Sequence, residues 1–266
     1  MARKVGQSHP VRVVSLTCSN TEIVCALGES PRLVGVDDHS DFPRDVVSRL
    51  ARVGPDLGVD AARVASLKPD LVLASLTVPG HERVVESLQR AKLPVVVLAP
   101  TSVSDVYADI RRIAALLDVP ERGEALIREM RSELDLRETS ERRPRILVEW
   151  WPKPVIVPGK KSWVNQLLEA AGAENPLGDR DVESSPITDD EAVAMAPDAV
   201  VISWCGVRLE KYRTDVVYRR PAWQSLRALR ERRVHCVAEA FLGRPGPRLV
   251  EGCRALRAIA RECRAG

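Results

Sequence analysis

Two similar α/β lobes with mostly parallel sheets are predicted, on three observations. A short unit occurs twice, at residues 59–75 and 187–203. Each copy reads as a small amphipathic helix, a Pro-Asp corner (Pro69-Asp70, Pro197-Asp198) and a buried strand. Apolar strand-like runs alternate with helical segments along the whole chain, the pattern of a sheet covered on both faces. Between the halves lies a charged segment with helical period, no internal proline and no glycine after Gly123. Two lobes facing each other make a cleft, where small ligands bind.

Residues 1–10 form a basic, polar tail, and an N-terminal lobe is expected over 11–118. Its strand candidates are 11–16, 33–36, 71–74 and 95–98, each a leucine-rich or β-branched run bounded by turn residues. A polar-started helix closed by Gly28 has its echo in the helix closed by Gly172. Residues 104–117 are helical by period. Asp118 to Glu121 is a stop and restart, with Pro120 tolerated in a first turn. The next helix, 120–137, is ~27 Å long at ~1.5 Å per residue. Within a linking segment of 119–141 it predicts a stiff rod that permits rocking and resists wide hinge closure. The C-terminal lobe, 142–266, has strand candidates at 146–148, 199–202 and 234–237.

Composition excludes several classes. The chain of 266 residues is 45% hydrophobic and 29% charged, with net charge +3, ordinary for a globular protein. The arginine-rich stretches 227–233 and 254–264 fall at helical spacing without interleaved aromatics, so they read as solvated helix faces and no nucleic-acid partner is expected. No stretch approaches the ~18 apolar residues of a membrane span. The first residues lack the apolar core of a secretory signal, so a cytoplasmic location is expected as the sequence is written, and an extracytoplasmic one if a signal was removed or the start misassigned. The six cysteines show no paired or zinc-ribbon spacing. Cys25, Cys236, Cys253 and Cys263 read as small core residues.

In open parallel sheets ligands bind beyond the carboxyl ends of the strands, and those loops name the candidates. They are Cys18; His39 and Phe42; Trp150 and Trp151; Trp204 and Cys205; and Glu239, Phe241, Arg244 and Arg248. Aromatics make up 4% of the chain, yet Phe42, Trp150, Trp151, Trp204 and Phe241 all fall here. Rings in a cleft suit a large, flat, partly apolar ligand oriented by a few polar groups. Other chemistries stay open. Cys18 at a helix start is placed for a lowered thiol pKa and a pairing with His39. Cys18, Cys205, His39 and nearby carboxylates include soft metal ligands. The Gly243 to Gly246 turn and the Pro158 to Ser162 stretch both fail phosphate-loop spacing.

The order of these loops resembles the helical-backbone metal-receptor family, the class III periplasmic binding proteins that deliver vitamin B12, haem or iron-siderophores to ABC importers. The carrying segments are residues 12–22, 33–43, 67–72, 158–160 with the following helix, and 246–248. The likeness is greatest to the B12-binding members. It implies two Rossmann-like lobes, a rigid backbone helix, no enzymatic activity and no covalent cofactor. It implies a cobalamin-like corrinoid or related metal chelate lying flat in the cleft, with His39 and Phe42 on one side, Trp150 or Trp151 on the other, and Glu239 and Arg244 near its polar rim. His39 is the candidate axial contact. Docking to an importer permease is implied through one glutamate per lobe, Glu82 and Glu210. A monomer that does not insert into the membrane is expected. The rival readings are a receptor for haem or a siderophore, a cytoplasmic enzyme or cofactor-handling protein using Cys18 and Cys205, and a sensor that has lost transport.

Overall fold

The computed structural model describes residues 11–136 and 142–265. The predicted tail at 1–10 and the end of the predicted linking segment at 137–141 lie outside the described residues. The chain divides into two compact units, Met1–Ala99 with Asp109–Gly123, and Pro100–Ala108 with Glu124–Gly266.

The first unit alternates strand and helix: β1 (Val13–Ser15), α1 (Cys18–Ala26), β2 (Leu33–Val36), α2 (Arg44–Val47), β3 (Ala51–Arg52), α3 (Ala61–Ser66), β4 (Leu71–Ser75), α4 (His81–Arg90) and β5 (Val95–Leu98). The strands form one parallel sheet in the order β3-β2-β1-β4-β5. Val13, Val14, Val72 and Leu73 are wholly buried, as expected of central strands covered on both faces. Val64, Val84, Val85 and Leu88 from α3 and α4 complete a core with Val14 and Val72.

Two longer helices come next, α5 (Val103–Leu116) and α6 (Pro120–Leu134). Asp118 ends the first in the left-handed region, φ 60°, and Val119 N–H reaches back to Ala114 O at 2.8 Å. Gly123 lets the helices approach, since a Cβ there would lie 2.7 Å from the Ala114 Cβ. The predicted rod is shorter than expected. It stops at Leu134 after 15 residues, and Asp135 and Leu136 have left the helix.

The second unit carries β6 (Ile146–Glu149), β7 (Trp151–Pro152), β8 (Val155–Pro158), α7 (Trp163–Ala170), β9 (Ser184–Ile187), α8 (Asp189–Met195), β10 (Ala199–Ile202), α9 (Thr214–Tyr218), α10 (Arg227–Arg230), β11 (Val234–Cys236), α11 (Glu239–Leu242) and α12 (Leu249–Ala265). Its parallel sheet has the order β11-β10-β6, and β7-β8-β9 forms a separate antiparallel sheet. The antiparallel sheet was not expected. Its strands are short and carry Pro152, Pro158 and Pro186, which hide the alternation that marks a strand.

The duplicated unit has one structural job in both places. Asp70 accepts the Arg12 backbone N–H at 2.8 Å while its own N–H donates to Arg12 O at 2.9 Å. Asp198 accepts the Arg145 N–H at 2.9 Å and donates its own to Arg145 O at 2.8 Å. Each aspartate thus ties the start of one strand to the residue before its parallel neighbour, β1 or β6, and fixes their register. The preceding helices are capped by Asp60, which accepts from Ala62 and Arg63, and by Thr188 in a capping box with Glu191. The paired glycines match as well. Gly28 (φ 75°) and Gly172 (φ 72°) each end a helix with the double backbone bond of a Schellman motif, Gly28 N–H to Cys25 O and Glu29 N–H to Val24 O, Gly172 N–H to Glu169 O and Ala173 N–H to Leu168 O.

Two of the four cysteines read as core depart from that expectation. Cys253 and Cys263 are buried, whereas Cys25 is half-buried and Cys236 exposed at the end of β11.

Candidate functional site

In the first unit the loops after β1, β2 and β3 are knitted by small polar groups. The Thr21 hydroxyl donates to Ser15 Oγ at 2.8 Å and lies 2.9 Å from Ser40 Oγ, and Ser40 donates to the Asp37 carboxylate. Burial pushes Asp37 above the usual carboxylate range, opposed by its bonds from Ser40 and the His39 N–H. The Arg52 guanidinium gathers the Asp37 and Ser40 carbonyls at 2.8 and 2.7 Å, and Asp38 N–H donates to Gly54 O at 2.9 Å. The loop from 37 to 43 is thereby held in shape while Phe42, 43% exposed, is presented at its tip. The Cys18 thiol donates to the His39 carbonyl at 3.1 Å.

His39 points its Nε2 at Asp56 Oδ1, 3.4 Å away, and His81 Nε2 lies 3.6 Å from Asp56 Oδ2. The second separation is just beyond hydrogen-bond length, yet the His81 imidazole is the main influence holding Asp56 below the usual carboxylate range. His81, a residue that the candidates named from the strand-end loops did not include, thus joins His39 at this carboxylate. His81 is buried at the first position of α4, and only the fold of the β4–α4 connection brings it to the same carboxylate. The sequence signal was faint: a polar residue on the apolar face of α4.

The second unit builds its strand ends differently. Glu149, at the end of β6, is fully buried. Arg220 grips it with two bonds of 2.6 and 2.9 Å, and the Trp204 indole N–H adds a third at 2.9 Å. Arg220 also lies over the Trp223 ring, 4.3 Å from its centroid. Trp204 packs on Tyr212 with centroids 5.5 Å apart. The Tyr212 hydroxyl donates to Trp204 O and accepts the Glu239 N–H, both at 3.1 Å. Trp204 therefore belongs to the core and not to a ligand surface, a correction to its predicted role: the residue is 7% exposed and its indole N–H is committed. Sequence reasoning missed Glu149 and Arg220, which are 71 residues apart.

The remaining candidates divide by exposure. Trp150 is half-buried, tilted against Trp163 with centroids 6.2 Å apart. Its neighbour Trp151 is 42% exposed. Trp150 lies in the bend between β6 and β7, and Trp151 opens β7. Arg244 pairs with Glu239 at 3.1 Å, and Arg248 stands over the Phe241 ring, 5.5 Å from its centroid. Cys205 reaches the surface, but poor solvation and the charge of Glu239 push its thiol up to about 12. That opposes the reactive-thiol reading, because the thiolate is the nucleophile. Glu82 is exposed in the first turn of α4 and folds back to accept the Gly80 N–H at 2.9 Å. Glu210 is exposed in a single 3₁₀ turn, Leu209–Lys211. Among the described residues no group of three His, Cys, Asp or Glu side chains is arranged to hold a metal ion, and no helix is long and apolar enough to cross a membrane.

A family model described as "Periplasmic binding protein" matches residues 13–238. An uncharacterized ABC transporter substrate-binding lipoprotein of Bacillus subtilis is 30% identical over 259 residues, covering 94% of this chain and 80% of the relative. A vitamin B12-binding protein of Pectobacterium carotovorum is 27% identical over 246 residues, covering 91% and 85%. The periplasmic heme-binding protein of Roseiflexus, solved in its apo form, superposes with a TM-score of 0.82 at 27% identity, covering 96% of this chain and 99% of that one. These matches overturn the expected cytoplasmic location: the relatives are periplasmic proteins or lipoproteins, which points outside the cytoplasm. The relatives are also binding proteins and not enzymes, against the reading that used Cys18 and Cys205 for catalysis. This chain belongs to the periplasmic binding protein family, as a non-enzymatic substrate-binding protein of the ABC-transporter type.

Proposed function

We propose that the chain captures a flat metal chelate of the tetrapyrrole type, a cobalamin-like corrinoid first among them, and delivers it to an ABC importer. One observation carries the reading. A chain with 4% aromatic residues leaves Phe42 and Trp151 more than two-fifths exposed at strand ends, where loops elsewhere in the two units are held by dense hydrogen bonding. An exposed ring gains apolar contact when a ligand covers it, and a planar macrocycle offers a matching face. His39, Glu239, Arg244 and Arg248 supply polar groups for the rim. His39 is the axial candidate. Glu82 and Glu210 are the proposed contacts with the permease.

The relative from Pectobacterium supports a corrinoid. A haem reading is supported by the Roseiflexus protein and by the exposed imidazole of His39, a donor suited to iron as well as cobalt. Titration of the protein with cyanocobalamin, haemin and a ferric hydroxamate, followed by tryptophan quenching and visible bands, separates them. Saturable binding at one per chain by cyanocobalamin supports the first reading. Binding by haemin alone moves the assignment to haem, and binding by the hydroxamate alone removes the tetrapyrrole.

A further inference from the structure

We propose that Asp56 is a positioning residue that couples the loop bearing His39 to the amino end of the helix bearing Glu82, with His81 as the intermediary. Three loops that end three different strands meet at this one carboxylate. Asp56 itself lies after β3, His39 after β2, and His81 after β4. Its two oxygens are divided between the imidazoles, Oδ1 toward His39 and Oδ2 toward His81. Oδ1 also accepts the Leu57 N–H at 2.9 Å, which fixes the orientation of the carboxylate.

The two ends of this connection have opposite character. His39 has a side chain 55% exposed, and its loop presents Phe42. His81 has a side chain only 4% exposed, and among the described residues neither of its ring nitrogens has a hydrogen-bond partner. A buried imidazole without such bonds depends on its nearest charge for orientation, and that charge is Asp56. A change at the exposed end is therefore felt at the buried end through a shared partner.

The residues on either side of His81 make the coupling consequential. Gly80 has φ 102°, a conformation suited to glycine, and its N–H is held by the Glu82 carboxylate. Leu57, next to Asp56, lies over Gly80: its Cδ2 is 3.2 Å from where a Cβ would stand. The turn that sets the direction of Glu82 is thus touched from two sides by the Asp56 segment. Reading this as a link between ligand loop and permease contact rests on the proposed function. The coupling itself does not.

The test uses the full chain without any chelate. The protein has four histidines, so the imidazole region of NMR spectra from uniformly 15N-labelled protein is sparse, and the same sample reports the backbone amides. His39→Ala is expected to shift the His81 ring resonances and the amides of Gly80 and Glu82. In an Asp56→Asn background the same replacement is expected to leave them in place, and Asp56→Glu, which keeps the carboxylate, to restore part of the response. No shift on His39→Ala, or an equal shift in both backgrounds, overturns the proposal. Should Asp56→Asn not fold, as judged by circular dichroism, Asp56→Ser takes its place. Failure of every chelate to bind would sink the proposed function and leave this result standing, because no ligand enters it.

Discussion

Asp70 and Asp198 make the same reciprocal backbone bonds in the two units, but the strands they align end in different chemistry. In the first unit the ends are polar and partly open: hydroxyls, an exposed His39, and Asp56 shared by two imidazoles. In the second a fully buried Glu149 is clamped by Arg220 and Trp204. A shared corner therefore fixes strand register without fixing what the strands present. Charges at the strand ends give rigidity in the second unit and a connected loop surface in the first.

The largest expected effect breaks the second unit alone. Arg220→Ala leaves the buried Glu149 without its cation and with only the Trp204 N–H, a loss of about 3–5 kcal/mol by urea denaturation. The counterpart Arg122→Ala in the first unit removes a pair with Glu29 whose arginine is 58% exposed, and is expected to cost under about 1 kcal/mol. Equal losses would erase the distinction drawn between the units.

Core and surface rings sharpen it further. Trp204→Ala is expected to destabilise by about 3–5 kcal/mol. Trp151→Ala and Phe42→Ala are expected to leave the melting midpoint nearly unchanged while each weakens chelate binding about tenfold, or ~1.4 kcal/mol. A Trp151→Ala variant that unfolds would show that this ring belongs to the core.

Next come the two corners. Asp198→Asn should cost more than Asp70→Asn, both on the order of 1–2 kcal/mol. Asp198 also pairs with Arg142 at 2.8 Å and Arg227 at 3.2 Å. The reverse order would mean that the arginines contribute nothing.

The smallest effects concern protons. Asp56 has a folded pKa below its ordinary 3.8, so its contribution to stability is present above that value and is lost as pH falls through the folded pKa. Asp37 is raised above 3.8, so its contribution runs the other way and grows as pH falls. The stability profile of Asp56→Asn should accordingly be flatter on its acid limb than that of the unaltered chain, and that of Asp37→Asn steeper. In the second unit Cys205, with its thiol pushed up to about 12, should react slowly with iodoacetamide at pH 7 and speed up only toward that pH. Fast labelling at pH 7 would contradict the surroundings described for it.

The parts legible in the sequence were local. Gly28 and Gly172 announced helix ends because a left-handed residue is needed there, and Pro69-Asp70 and Pro197-Asp198 announced the corners because helix, turn and strand signals lie within a few residues. The strands 33–36, 95–98 and 199–202 were readable as continuous apolar runs, fully buried in 199–202 and partly buried along most of 95–98 at the sheet edge. The β7-β8-β9 sheet was not, because prolines interrupt it. At the strand ends, position named the loops but not which way a ring points: Trp204 and Trp151 look alike in sequence, and the acceptor on Glu149 decides between them. The Glu149–Arg220 clamp and the meeting of His39 and His81 at Asp56 depend on contacts between distant segments, which no local spacing encodes.

Phe42 and Trp151 are each proposed to contact a flat chelate. The most direct test is a binding titration of Phe42→Ala, Trp151→Ala and the double variant with cyanocobalamin and haemin. Saturable binding at one per chain is expected of the unaltered protein, weakened about tenfold by each single change and further by both. No binding of either chelate, or binding indifferent to both rings, would contradict it.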